Sequence, residues 1–432
     1  MTQENKIEKQ QDTLLELKDY SITFETPEGQ VKAVSNMNLT VRRGERIAIV
    51  GESGSGKSQT FLGVMGLLAK NGRTTGQALL EGKDVLALKP RELDHVRGKD
   101  MAMVFQDPMT ALNPSLRISR QLTEQLEIHR GFTAKAASAA ALDMLKRVGI
   151  PDPTRRFGLY PHELSGGMRQ RIVIAMALLT KPKLLIADEP TTALDVTIQA
   201  QILDLFNDLT AEMNTALIMI THDLGVVAGL ADKVAVMYAG RIVEEAPVDE
   251  LFENPAHPYT AALHASIPRP DQDVDDLVVI PGRPPNLQHL PKGCNFSPRC
   301  SQVQDDCIDR PPQLQQQGAN HCAACFHPFP RREELLRGCG RALGQAAHFR
   351  CHDRNRQEDR PQPPEGIGKR QADHAIENRR QQHGDRKQDE IPADKQQDAE
   401  GRQRQQLQPR RKPVHHAVAL DIKRLHQAAI SL

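Results

Sequence analysis

Val50-Gly51-Glu52-Ser53-Gly54-Ser55-Gly56-Lys57-Ser58 lies between two segments of different character. Before it, Arg46-Ile47-Ala48-Ile49-Val50 is a short apolar run that reads as a buried strand. After it, Gln59 to Leu68 reads as a helix with an apolar face. Strand, glycine-rich turn and helix form the context in which G-x-x-x-x-G-K-[ST] signals a phosphate-binding loop. The glycines let the backbone wrap tightly around an anion and point its N–H groups inward. The helix N-terminus adds the positive end of its dipole. Lys57 has the reach for the β- and γ-phosphates of a nucleotide, and the Ser58 hydroxyl suits Mg²⁺.

The bulk properties remove several function classes. The chain has 432 residues, enough for two or three domains. A net charge of +1, no Trp and 3% aromatic residues argue against a nucleic-acid partner. No apolar run approaches the roughly 20 residues that span a bilayer. The polar start, Met1 to Lys6, lacks the apolar core of a signal peptide, so a cytosolic location is expected. All seven cysteines lie at or after Cys294, which points to one local use and not to a disulfide scaffold.

Residues 1–11 are polar and read as disordered. Leu14 to Leu17, Tyr20 to Phe24, Val31 to Val34 and Met37 to Val41 then read as strands of an antiparallel region. Phe24 is either core or a stacking surface for a base. After the first helix, Met101 to Val104 reads as a strand, with Gln106 just beyond it and Pro108 preventing continuation. Gln106 is either a strand cap or a ligand for Mg²⁺ and water. From about 109 to 165 the strand pattern gives way to helices, Gln121 to His129 and Lys135 to Val148. Leu164-Ser165-Gly166-Gly167 then starts the apolar helix Ile172 to Leu179, a second anion-binding N-terminus or simply a capped helix. Lys183 to Pro190 is four apolar residues followed by Asp188 and Glu189. Acids at the end of a buried strand are costly unless they bind a cation or hydrogen-bond. Asp188 is placed for Mg²⁺ and Glu189 for an attacking water. Ala216 to Thr221 is a further buried strand, ending at His222, which is either structural or catalytic.

The order and spacing of these motifs strongly resemble the ATP-binding subunits of ABC transporters. The fold this implies is α/β: a P-loop NTPase (RecA-like) ABC ATPase core with an antiparallel β subdomain and a helical subdomain, plus a small C-terminal extension. The resemblance makes Gly51, Glu52, Ser53, Gly54, Ser55, Gly56, Lys57 and Ser58 the Walker A loop and Phe24 the adenine-stacking aromatic. It makes Gln106 the Q-loop glutamine, and Ser165, Gly166 and Gly167 the signature that covers ATP across a dimer. Asp188 becomes the Walker B acid, Glu189 the catalytic base, Asp195 the D-loop acid and His222 the switch histidine. Met168 departs from the family, where Gln is usual. Ser165 to Arg171 and Phe105 to Pro114 are typical of the peptide and nickel importer branch. His257 to Leu263 and Ile280 to Leu287 are similar to the C-terminal extension of its permease ATPases. The resemblance covers about residues 12–336 and divides them into an ATPase domain, 12–262, and an extension, 263–336.

That family implies ATP and Mg²⁺ and a second ATPase subunit, usually a related one. It also implies two transmembrane permease subunits, an extracytoplasmic peptide-binding protein, and a peripheral place on the cytoplasmic face of the inner membrane. Oligopeptide, dipeptide and nickel remain as cargo, with oligopeptide favoured. Soluble two-copy relatives would repeat the motifs, and this chain has one set. A nucleotide-binding module without hydrolysis would lack Glu189 or His222. Cys294, Cys300, Cys307 and either Cys322 or Cys325 suit an iron–sulfur cluster, a zinc ion, or no metal at all. Some members of the branch carry a [4Fe–4S] cluster here, which favours Cys325 as the fourth ligand. Residues 337–432 are rich in Gln, Arg, Asp, His and Pro without apolar period, and read as disordered or as an out-of-frame tail.

Overall fold

The computed structural model describes residues 12–107, 111–192, 195–267 and 279–331. The expectations for residues 1–11 and 337–432 lie outside them. In chain order the strands are β1 (Thr13–Thr26), β2 (Gly29–Arg42), β3 (Arg46–Val50), β4 (Gly72–Leu80), β5 (Lys83–Asp84) and β6 (Met101–Val104). They continue with β7 (Leu184–Asp188), β8 (Ala216–Thr221), β9 (Lys233–Tyr238), β10 (Arg241–Pro247), β11 (Gln315–Gly318) and β12 (His321–Ala323). Among the described residues, one sheet has four strands in the order β2-β1-β4-β5, all antiparallel. The other has eight, in the order β11-β12-β10-β9-β3-β8-β7-β6. Its strands β6, β7, β8, β3 and β9 are mutually parallel, and β10, β12 and β11 continue antiparallel at one edge.

The parallel strands are buried on both faces, and successive side chains serve different cores. Along β8, Ala216, Ile218 and Ile220 face the antiparallel sheet and helix α1 (Lys57–Val64). Leu217 and Met219 face the opposite side, with helices α2 (Ile118–Arg130), α3 (Ala134–Arg147), α4 (Gly166–Leu178) and α5 (Val196–Met213). On β3, Ile47 and Ile49 join the first core, whereas Ala48 and Val50 join a third with Val236, Tyr238, Tyr259 and Phe296. Removing a side chain such as Ile218, fully buried at 0% exposure, would cost about 2–5 kcal/mol. This packing fixes the C-terminal ends of β3, β7 and β8, where ligands bind in open α/β sheets.

Two local expectations change and one holds. The break between Leu17 and Tyr20 is a bulge inside one continuous strand, with Asp19 in the left-handed region at φ 46° and a register shift on both sides. The helix start read at Ser165-Gly166-Gly167 is found there: α4 begins at Gly166, capped by the Ser165 hydroxyl, which accepts from Met168 N. The boundary expected between residues 262 and 263 falls within helix α6 (Pro258–Ala265). That helix packs Tyr259 and Leu263 into the third core beside Phe296 of the extension. Strand β12 pairs with β10 (Glu244 with Ala323, Glu245 with Cys322), so the extension completes the ATPase sheet and is not a separate layer.

Candidate nucleotide site

The phosphate loop turns from β3 into α1 where the backbone is crowded. A Cβ at Gly51 would collide with the Met237 carbonyl oxygen, and one at Gly56 with that of Ala33. Gly56 also has φ 100°, a conformation that L side chains rarely adopt. Glycine is therefore required at both positions. The loop residues Glu52 to Gln59, with Gln106, Glu189, His222 and Leu263, line a cavity of about 620 Å³.

Charge and hydrogen bonding suit that cavity to a polyanion with a divalent cation. Lys57 is buried, and its Nζ donates to the carbonyl oxygens of Gly51 (2.7 Å) and Glu52 (3.0 Å). Burial lowers its pKa, and the carboxylates of Glu189, Asp188 and Glu52 oppose that shift. The Ser55 hydroxyl is buried and has no partner among the described residues, as expected of a group that awaits a ligand. Ser58 Oγ donates to Asp188 Oδ1 at 2.8 Å, which places a hydroxyl and a carboxylate side by side for Mg²⁺. Burial pushes the Asp188 carboxyl up to about 6, with the Ser58 hydrogen bond opposing and Glu189 adding to it.

Glu189 is the centre of a second cluster. Its carboxylate accepts from Gln106 Nε2 and Thr192 Oγ1, each at 3.0 Å, and lies 3.3 Å from His222 Nδ1. Its backbone has φ 44°, a left-handed conformation unusual for a long side chain. Three of the polar residues singled out in the sequence, Gln106, Glu189 and His222, thus meet at the mouth of the loop.

Other candidates stand apart. Phe24 does not line the cavity; it is half-buried, packs against the first core and abuts Gly72. Ser165 and Gly166 are exposed at the α4 N-terminus, Gly167 lies beside Ile198, and none of the three lines the cavity. Asp195 caps α5, accepting from Ile198 N at 3.0 Å. Cys294, Cys300, Cys307 and Cys325 line one small cavity of about 10 Å³ with His257 and His327. Burial raises the thiols of Cys294, Cys300 and Cys325, and neighbouring cysteines add to each shift. Cys322 lies elsewhere, on β12 near Glu245 and Lys233. The ligand atoms of Asp306, Cys307 and His327 come within 4.8 Å of one another.

The site also uses residues that the sequence did not single out. Tyr259 Oη accepts from Glu52 N at 2.9 Å. Arg299 grips the Glu52 carboxylate with two nitrogens, at 2.8 and 3.0 Å. These contacts join residues more than 200 positions apart, and no local pattern marks them.

Comparison with known proteins agrees with this geometry. Residues 34–192 match the ABC transporter family, and residues 243–307 match the family described as the C-terminal region of oligopeptide/dipeptide transporters. The oligopeptide transport ATP-binding protein OppD of Salmonella typhimurium is 53% identical over 323 residues, which is 75% of this chain and 95% of that protein. This chain belongs to the ABC transporter ATP-binding proteins, in their oligopeptide branch. The OppD proteins of Haemophilus influenzae and Bacillus subtilis are 55% and 53% identical, over 68% and 67% of this chain and 91% and 81% of theirs. Within the family, the chain is an ABC-type ATPase built around a P-loop NTPase core. Among the described residues, no helix is long and apolar enough to cross a membrane.

Proposed function

We propose that this chain is the subunit that binds and hydrolyses ATP to drive a peptide importer, with oligopeptides as its cargo. The relatives' shared oligopeptide role supports that cargo. In this reading the chain works at the cytoplasmic face of the membrane, against two permease subunits, with a second, related ATPase subunit. An extracytoplasmic binding protein delivers the peptide to that complex.

The observation that carries the chemistry is the Glu189 carboxylate, held by Gln106, Thr192 and His222 at the edge of the phosphate-loop cavity. Glu189 orients and polarises water for attack on the γ-phosphoryl, and His222 and Gln106 keep its carboxylate in place. Lys57 and the loop N–H groups stabilise the charge that develops in transfer. Ser58 and Asp188, with Gln106, would hold Mg²⁺, which supplies further neutralisation of the phosphoryl oxygens. The α4 N-terminus, with Ser165 and Gly166 exposed and Gly167 behind them, would cover a nucleotide bound on the partner ATPase, and Asp195 would lie near that junction. Phe24 would be the adenine contact, a role that rests on the family resemblance alone. The test is Glu189→Gln in the assembled transporter. ATP binding should persist while turnover nearly disappears; near-normal turnover would sink the assignment.

The four cysteines that share one cavity support a second, separable proposal, a [4Fe–4S] cluster on Cys294, Cys300, Cys307 and Cys325. Iron and sulfide analysis of anaerobically purified protein tests it, and protein free of both refutes it.

A further inference from the structure

Glu52 is the only acidic residue in the phosphate loop, and it sits where a polyanion must bind. A lone carboxylate there would repel a triphosphate. Arg299, which immediately precedes Cys300 in the extension, meets it. The Arg299 side chain is 4% exposed and forms a two-pronged ion pair with Glu52. The same guanidinium donates to Tyr238 Oη at 3.2 Å and to the Pro281 carbonyl at 2.9 Å. It also lies 5.8 Å from the Tyr238 ring centre and 6.0 Å from that of Phe296. Its position is fixed from several sides, so it can hold Glu52 in one place. The Glu52 backbone is held separately, by Tyr259 of α6.

We propose that Arg299 is a positioning residue for ATP binding: it neutralises Glu52 and braces the phosphate loop from the C-terminal extension. The extension is then part of the nucleotide site, because it supplies the charge that makes an acidic phosphate loop tolerable to a triphosphate. The inference rests on the nucleotide reading of the Gly51–Ser58 loop.

Equilibrium titration of the full chain with a magnesium complex of non-hydrolysable ATP tests it. Arg299→Ala should bind the analogue about tenfold more weakly or worse, since it leaves a carboxylate unpaired beside the phosphates. Adding Glu52→Gln to that variant should recover at least threefold of the loss, because the repelling charge is gone. A brace that mattered only for folding would show no such recovery. Arg299→Lys keeps the charge but not the fork, and in the assembled transporter it should raise the KM for ATP with little change in kcat. Parent-like binding by Arg299→Ala, or a double variant no better than it, overturns the proposal. If Arg299→Ala does not fold, Arg299→Lys decides: a raised KM supports the proposal, and an unchanged KM overturns it. Lys57→Ala is run beside them. If it binds ATP as well as the parent, the nucleotide reading itself has failed, independently of Arg299.

Discussion

At Glu189, the proposed catalytic carboxylate, the chain accepts local backbone strain. A glutamate at φ 44° costs of the order of 1 kcal/mol relative to right-handed backbone. Its charge also adds to the upward shift of the neighbouring Asp188 carboxyl, which is pushed up to about 6 chiefly by burial. Neither feature helps the free protein fold. Both follow if the two acids exist to receive a cation and a water between them. This is why Glu189→Gln is the informative change: it keeps length, backbone and most neighbours, and removes only the charge. Turnover should fall by about 100-fold or more, the scale of a positioned general base, while the binding constant for ATP changes little. Comparing single-turnover hydrolysis with equilibrium binding separates the two. A parallel loss of binding would mean that Glu189 supports the fold of the loop and not the reaction.

At the scale of elements, the junction of β10, β12 and α6 predicts how stability depends on pH. Glu244 is fully buried and accepts from the backbone N–H groups of Ala256 and His257. It also lies 2.7 Å from His321 Nε2 on β12. Glu250 faces the other nitrogen of His321 and pairs with Arg331. Burial lowers the His321 pKa, but hydrogen bonds and charge from Glu244 and Glu250 outweigh it and the net shift is upward. His257 is buried with Nδ1 accepting from Tyr259 N and Nε2 without a partner among the described residues. Burial takes it down to about 4, against a weaker pull from Glu244. The signs are opposite. The His321 contribution is complete below its unfolded value, near 6.5, and is lost as pH rises through its raised folded value. The His257 contribution is complete above 6.5 and is lost as pH falls towards 4. Melting temperature should therefore fall on both sides of about pH 6.5. His257→Gln should flatten the acid limb, and His321→Gln the alkaline limb. Unaltered limbs in both variants would show that other groups set the profile.

The same elements show what the sequence could and could not reveal. The parallel strands were legible because each alternates between two cores, as Ala216 to Ile220 do. The clustering of Gln106, Glu189 and His222 was legible through motif order, since each follows a buried strand. The bulge at Asp19 was not, because two polar residues interrupting a strand pattern look the same as a loop. The start of α4 was legible through the Ser165 cap, which offsets the weak helix propensity of Gly166 and Gly167. The Arg299–Glu52 pair was invisible, since it depends on how the extension folds back over the loop.

For the whole molecule, the decisive fact is separation. The phosphate loop, Glu189 and His222 line one cavity, while Ser165 and Gly166 stand exposed outside it, with half-buried Gly167 beside them and open space at Gly166. Under the proposed function, one chain presents two incomplete halves, and a partner ATPase would join each to its complement. Stabilising charge from a helix N-terminus acts over only about one turn, so Ser165 cannot help a nucleotide in the cavity of its own chain. Ser165→Arg then makes a specific prediction. ATP affinity of the isolated chain should stay within about twofold of the parent, whereas turnover by the assembled transporter should fall by about 100-fold, because the bulky cation blocks closure over the partner's nucleotide. Binding is read by titration of the single chain and turnover by phosphate release from the complex. Weakened binding in the isolated chain would place the signature within its own site and remove the argument for a composite one. Unchanged turnover in the complex would show that α4 does not reach the partner's nucleotide at all.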